Sequence, residues 1–340
     1  MPWRNEKCHR VYPHQSIQDA VNRASPGDRI EVEAGTYNEQ LVIKKPDIHL
    51  IGKGATLQPP PSPTQNLCTG LSQTGDGHNT SAGICIHGHH IELEAYHTEH
   101  RKILSVGTFL SKVQITGFTV SNFDGENIAA IGTQSLHISH NTLVDGGQYG
   151  FLSVGCKGTR AEHNTVSTDK LDIIGLLVDD YADAVLAGND VTGYFTALVS
   201  QTNGGVIKDN RAYNVCVGAS ADPGVKGSVI RENDFEYRNP GCDKGFAAYG
   251  AGVVVFGASE TLVEENTVER FNNGGFGVGI FLLNGSEGEV ATGNVVKGNV
   301  LRENYVDVFD SSTGENVFGG NKCESVSNST VKSFPAEACA

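Results

Sequence analysis

The chain has 340 residues, with 39 acidic side chains against 25 basic ones and a formal net charge of −14. That balance argues against nucleic acid as a partner, and it disfavours a polyanionic substrate unless a cation or a local basic patch intervenes. No apolar run is long enough to span a bilayer, and the length suffices for one continuous core, expected as a single elongated domain over 1–340.

In chain order, the first predicted element is a short helix in Ser16–Ala24 (SIQDAVNRA). Ile17, Ala20, Val21 and Ala24 fall at helical spacing on one face. Ser25-Pro-Gly-Asp28 ends it, and Arg29–Glu33 alternates as a strand. Residues 11–30 thus read as a cap helix and first strand. Residues 31–322 read as stacked coils, interrupted by an irregular excursion over 58–83 that holds Pro59-Pro-Pro-Ser-Pro63. Six of the twelve histidines then fall between His78 and His100. His87 and His89 would share a strand face, a first step toward a metal site, but no third ligand is assignable and an exposed long loop is the expectation.

From the middle of the chain an asparagine recurs in the pattern apolar-x-x-Asn-x-apolar. It marks Asn141, Asn164, Asn189, Asn210, Asn233, Asn266, Asn294 and Asn321, spaced by about 21–25 residues over much of this run. A period in this range signals a solenoid. The intervening Val/Ile/Leu runs, broken by Gly, Asp and Asn, read as strands and turns rather than helices. The fold expected is an all-β, single-stranded right-handed parallel β-helix, one coil per period. Coils about 4.8 Å apart would let each Asn side chain bond the next in a ladder. Asp222-Pro-Gly and Asn239-Pro-Gly-Cys242 mark later excursions, and residues 323–340 leave the repeat as a capping tail.

The stretch SIQDAVNRASPGDRIEVEAGTYNEQLVI closely resembles the N-terminal cap and first coil of the pectate-lyase-like right-handed β-helix superfamily. That resemblance implies the fold and an outward sheet face as the place of function. It implies no single activity, because the superfamily holds lyases, hydrolases, esterases, epimerases, other isomerases and proteins of no known activity.

Eight cysteines, an even number, suggest disulfides. Cys216 with Cys242 and Cys323 with Cys339 are the expected pairs, with Cys8 bonded to Cys68 or Cys85. Together with sequons at Asn79, Asn284 and Asn328, they predict a secreted glycoprotein. The start MPWRNEKCHR carries no apolar signal segment, so a signal peptide is expected to have been removed.

Counting back from the asparagines gives a column of Asp179, Ser200, Phe256, Asn284 and Ser311, with Leu177, Leu198, Val254, Leu282 and Phe309 two residues earlier. Both columns are expected to face outward, with Leu176, Val178, Ala197, Val199, Val253, Val255, Phe281 and Leu283 inside. The resulting apolar stripe would bind a ligand or mediate a homo-oligomer. Asp179, Asp180 and Asp183 around Tyr181 are the candidate catalytic carboxylates, since paired acids divide acid and base roles or bind Ca2+. The Asp179-Asp180 pair superficially matches polygalacturonase-like hydrolases, whose Asn-Thr-Asp and Gly-His-Gly signatures are absent. Lys157, Arg160 and His163, one coil earlier, are the candidate bases for elimination beside a uronate carboxylate. Candidate substrate contacts are Tyr181, Leu198, Ser200, Val254, Phe256, Leu282 and Asn284. The leading expectation is a secreted enzyme cleaving a polysaccharide as lyase or hydrolase. The alternatives are an isomerase or cyclase acting on a small, partly apolar molecule, and a non-catalytic binding or structural β-helix.

Overall fold

The computed structural model describes residues 7–243, 250–272, 277–324 and 338–339. The chain folds as a right-handed parallel β-helix. Contacts divide it into two compact units, residues 1–167 with 179–181 and residues 168–178 with 182–340.

The first unit opens with a strand, Cys8–Val11, followed by a helix, Ile17–Arg23. Ser16 caps it by accepting the Asp19 N–H, and the Glu39 carboxylate accepts from Ile17 N, Gln18 N and the Ser16 hydroxyl. A negative charge thereby sits at the positive end of the helix. Ile17, Ala20, Val21 and Ala24 are buried. The coils follow. One parallel sheet runs through Leu41–Ile43, Ile84–His87, Glu126–Ile131 and Tyr149–Val154. Its register stacks Ile43, Ile86, Ala130 and Ser153, all buried. Short strand pairs such as His137–Ser139 and Thr142–Val144 complete each turn.

Two excursions leave these coils. Residues 59–83 are tied back by a Cys68–Cys85 disulfide. Cys8 is therefore free and exposed, contrary to its expected bond with either of those cysteines. The second excursion departs from the exposed long loop that the histidine-rich sequence predicts. It is an antiparallel hairpin of His89–Leu93 with Ile103–Thr108. His87 is buried with Nδ1 on the Gly88 carbonyl, while His89 and His90 are exposed on the hairpin.

In the second unit a parallel sheet proceeds through Thr196–Ser200, Val217–Ala221, Ala251–Phe256, Val278–Leu283 and Val306–Asp310. The Asn ladder is built as the spacing implies. Asn233 Nδ2 donates to Asn266 Oδ1 at 2.9 Å and to Ile207 O, and its backbone N–H donates to the same Oδ1. The run goes Asn189, Asn210, Asn233, Asn266, Asn299, Asn321. Asn299 takes the place expected for Asn294, which instead bonds Asn316. Two rungs stand 33 residues apart. The first of those longer coils carries the turn Pro240–Asp243, pinned by Cys216–Cys242.

The turn between strand and ladder changes length by a residue, and that moves the expected faces. Leu198 stacks with Leu176, Ala219, Val253, Ile280 and Val308, all fully buried. Val178, Ser200, Ala221, Val255 and Leu282 form a second interior column. Leu198, Ser200 and Leu282 thus point inward, opposite to expectation. Val199, Ser220, Val254, Phe281 and Phe309 share the alternate, outward column, with the last three half-buried. Phe256 and Leu283 pair on the same outer side. Cys323 pairs with Cys339. Most of the tail, with the Asn328 sequon, lies outside the described residues.

Candidate active site

Strand Ile174–Asp179 ends on a carboxylate, and the chain then turns through Asp180 and Tyr181. These three residues count with the first unit. Asp179 Oδ2 lies 3.0 Å from His100 Nε2 and accepts from Lys102 Nζ at 3.1 Å. Both partners come from the end of the hairpin connection, held down where Arg101 N donates to Leu71 O. The His100 ring is buried and edge-on to Tyr149, 6.1 Å between centroids. Its Nδ1 has no hydrogen-bond partner among the described residues. Desolvation pushes the Asp179 carboxyl up, but the His100 hydrogen bond and the Lys102 charge outweigh it. The group stays below its ordinary value and ionised.

Asp180 is a different object. It is buried, and its Oδ1 accepts the Cys156 N–H at 3.1 Å. Burial raises its carboxyl to about 6. It holds the turn through that bond, with little of its surface exposed. Asp183 is an exposed turn residue at φ 60° and counts with the second unit.

Lys157 is exposed, with Nζ 4.5 Å from the Phe109 ring centroid and 5.7 Å from that of Tyr181. The two rings meet edge to face at 6.2 Å. Coil register brings Lys157 and Tyr181 together, since Tyr181 N donates to Cys156 O. No carboxylate lies within ion-pair distance of Lys157 among the described residues. Arg160 and His163 belong elsewhere. Arg160 pairs with Glu162 on another sheet, and His163 sits at a turn with its ring 5.3 Å from His140.

The expected substrate contacts separate in the same way. Tyr181 is at the cluster and 45% exposed. Val254 and Phe256 are outward on the second unit, beside Phe281 and Phe309, whose rings lie 5.2 Å apart. Asn284 organises a turn, accepting from Ala291 N and donating to the Thr313 hydroxyl.

Sequence reading missed His100, Lys102, Phe109 and Glu126. The first two meet Asp179 across 79 and 77 residues, a separation no local pattern reports. Glu126 is wholly buried, accepts the Ser72 hydroxyl at 2.6 Å, and is raised to about 7 by desolvation. Among the described residues no three His, Cys, Asp or Glu side chains gather as a metal site, and no helix is long and apolar enough to cross a membrane.

Comparison with known proteins agrees with this architecture. The family model described as "Right handed beta helix region" matches residues 172–334. An alginate lyase from Paenibacillus sp. str. FPU-7 superposes with TM-score 0.53 at 14% identity, covering 88% of this chain and 99% of that one. The catalytic unit of a GH87 α-1,3-glucanase from Streptomyces thermodiastaticus gives 0.56 at 12% identity, over 95% of this chain and 63% of that chain. A DFA-IIIase from Arthrobacter chlorophenolicus A6 gives 0.55 at 13% identity, over 93% and 88%. No curated protein matches the sequence. The chain thus has the right-handed parallel β-helix fold, and its likeness to these enzymes is one of fold alone.

Proposed function

We propose that this protein is an extracellular enzyme that cleaves a polysaccharide, with the sugar chain lying over Asp179, Lys102, Lys157 and Tyr181. The observation that carries this reading is an ionised carboxylate held by Lys102, with a second, carboxylate-free lysine between two aromatic rings close by in the chain turn. Aromatic faces stack on sugar rings, and the lysines offer cationic hydrogen bonds to carboxylate or hydroxyl groups. Hydrolysis by two carboxylates needs a second accessible acid, and Asp180 is buried. Elimination on a uronate fits better: Lys102 and Lys157 neutralise the sugar carboxylate, and the ionised Asp179 takes the proton from the neighbouring C–H. The released electron pair forms the double bond as the glycosidic C–O bond breaks, and the departing oxygen takes a proton from water. Three disulfides suit an oxidising compartment.

The test is a screen against alginate, polygalacturonate and neutral glucans, with calcium or with EDTA. It reads new double bonds by ultraviolet absorbance and new reducing ends together. Unsaturated product that disappears in Lys157→Ala supports the reading, whereas silence in both channels on every substrate removes it. A second reading, an isomerase or cyclase on a small, partly apolar molecule, is favoured only by the outward apolar column of Val254, Phe281 and Phe309 in the second unit.

A further inference from the structure

Two tyrosines on neighbouring coils of the second unit are turned out into solvent. Tyr213 lies on strand Arg211–Val215 and Tyr237 on strand Asp234–Arg238, which pair in parallel with Tyr213 opposite Glu236. Their rings are tilted by only 26° with centroids 6.1 Å apart, and they are 45% and 41% exposed. The backbone takes positive φ at Asn214 and at Tyr237 itself, 57° and 60°. A left-handed conformation is uncommon for a bulky aromatic, and here it keeps the second ring beside the first.

The rim of this pair is charged and balanced. Glu236 accepts from Arg211 at 3.5 Å through one oxygen and from Arg270 at 3.2 Å through the other. All three side chains retain exposed area. The surface therefore offers two exposed, stacked, near-parallel aromatic rings beside a row that both donates and accepts hydrogen bonds.

We propose that Tyr213 and Tyr237 form a second, non-catalytic binding platform for a chain of pyranose sugars. A pyranose ring has an apolar C–H face and a rim of hydroxyls. The tyrosine faces suit the first, while the Glu236 carboxylate and its flanking guanidiniums suit vicinal hydroxyls. The ring centroids stand 6.1 Å apart, on the scale of one sugar unit, so adjacent rings meet adjacent sugars. A protein partner is a poor fit. A stable interface needs about 800 Å² per side around an apolar centre, and two tyrosines beside an ion-paired row do not supply it. The chain's net charge of −14 disfavours nucleic acid, which tyrosines would otherwise stack on. Only the class of ligand rests on the function proposed above. The site itself is separate, and its test reads binding rather than cleavage.

The experiment is native electrophoresis through gels cast with or without soluble alginate or a soluble β-glucan. The unsubstituted protein should be retarded in at least one polysaccharide. Tyr213→Ala/Tyr237→Ala should lose at least threefold of that retardation, and Tyr213→Phe/Tyr237→Phe should keep most of it. Nitration of the unsubstituted protein gives a readout that needs no variant to fold. Polysaccharide should protect Tyr213 and Tyr237 but leave the exposed Tyr12 and Tyr305 reactive. No retardation in any gel, an undiminished double alanine variant, or equal nitration at all four tyrosines would overturn the proposal. Loss of cleavage with retention of tyrosine-dependent binding would sink the catalytic reading alone.

Discussion

His100 Nε2 lies 3.0 Å from Asp179 Oδ2, across 79 residues of sequence and at the boundary between a buried imidazole and an accessible carboxylate. Lys102 Nζ completes the contact at 3.1 Å from the same oxygen. The arrangement fixes the carboxylate as an anion and spends it on the fold as much as on any substrate. The hairpin connection is thereby fastened to the end of a coil strand.

Asp179→Asn should keep the shape and lose the charge. Lys102 then has no anion at this position, and stability should fall by about 1–3 kcal/mol at neutral pH. The pH dependence follows from the lowered carboxyl. Its stabilisation is present above the ordinary carboxylate value and is lost as pH falls through the lower, folded value. Thermal unfolding followed downward from neutral pH should therefore show a steeper acid limb in the unsubstituted protein than in Asp179→Asn. Parallel limbs would refute the assignment. Turnover of whichever polysaccharide the screen identifies should fall at least tenfold.

Glu126 has the opposite sign. Its folded pKa of about 7 lies above the ordinary value of 4.5, so the folded state holds the proton that the unfolded state releases. Its contribution is full below the ordinary value and disappears as pH rises through about 7. Glu126→Gln keeps an acceptor for the Ser72 hydroxyl without the charge. It should match the unsubstituted protein near pH 4 and be more stable by about 3 kcal/mol above pH 7. Chemical denaturation at several pH values checks this, and a pH-independent difference would mean that packing, not protonation, decides.

How much of this was legible depends on separation in the chain. The helix over Ile17–Arg23 was readable because its cap, apolar face and stop lie within about three turns. The asparagines were readable because the same buried hydrogen-bond problem recurs on every coil. Asn294 misled because Thr-Gly-Asn-Val-Val satisfies the same pattern as Lys-Gly-Asn299-Val-Leu, and only pairing distinguishes the rung from its neighbour. Leu198 and Leu282 were turned the wrong way because alternation fixes relative faces, while one residue in a turn decides which face is inside. His100, Lys102 and Phe109 were invisible as site residues because an excursion brings them to Asp179, Lys157 and Tyr181. No periodicity predicts where an excursion lands.

The ladder predicts a local but expensive lesion. Asn266 Oδ1 accepts both from Asn233 N and from Asn233 Nδ2, while its own Nδ2 donates to Ile230 O and Asn299 Oδ1. Asn266→Ala strands these partners where water cannot replace the lost side chain. The expected loss is about 2–4 kcal/mol, more than one ordinary hydrogen bond contributes. Asn266→Asp should not rescue it, since a carboxylate cannot donate to Ile230 O. Denaturant midpoints measure both, and a loss below about 1 kcal/mol for the alanine variant would show that the rung is dispensable.

The Cys68–Cys85 bond connects the first excursion to the site. It closes a separation of 17 residues, for which the chain-entropy model gives about 3 kcal/mol. Within that loop Leu71 O accepts from Arg101 N, next to His100, and Ser72 donates to Glu126. Opening the disulfide therefore loosens the support behind the imidazole without touching Asp179. Cys68→Ser/Cys85→Ser should unfold at lower temperature and be cut by protease first within residues 59–83, with Cys216–Cys242 intact. Any polysaccharide cleavage at the Asp179 site should fall further than stability alone explains at a temperature where the variant remains folded. If the variant is cut first elsewhere and keeps full turnover, this loop does not position His100, and the hairpin strands hold it unaided.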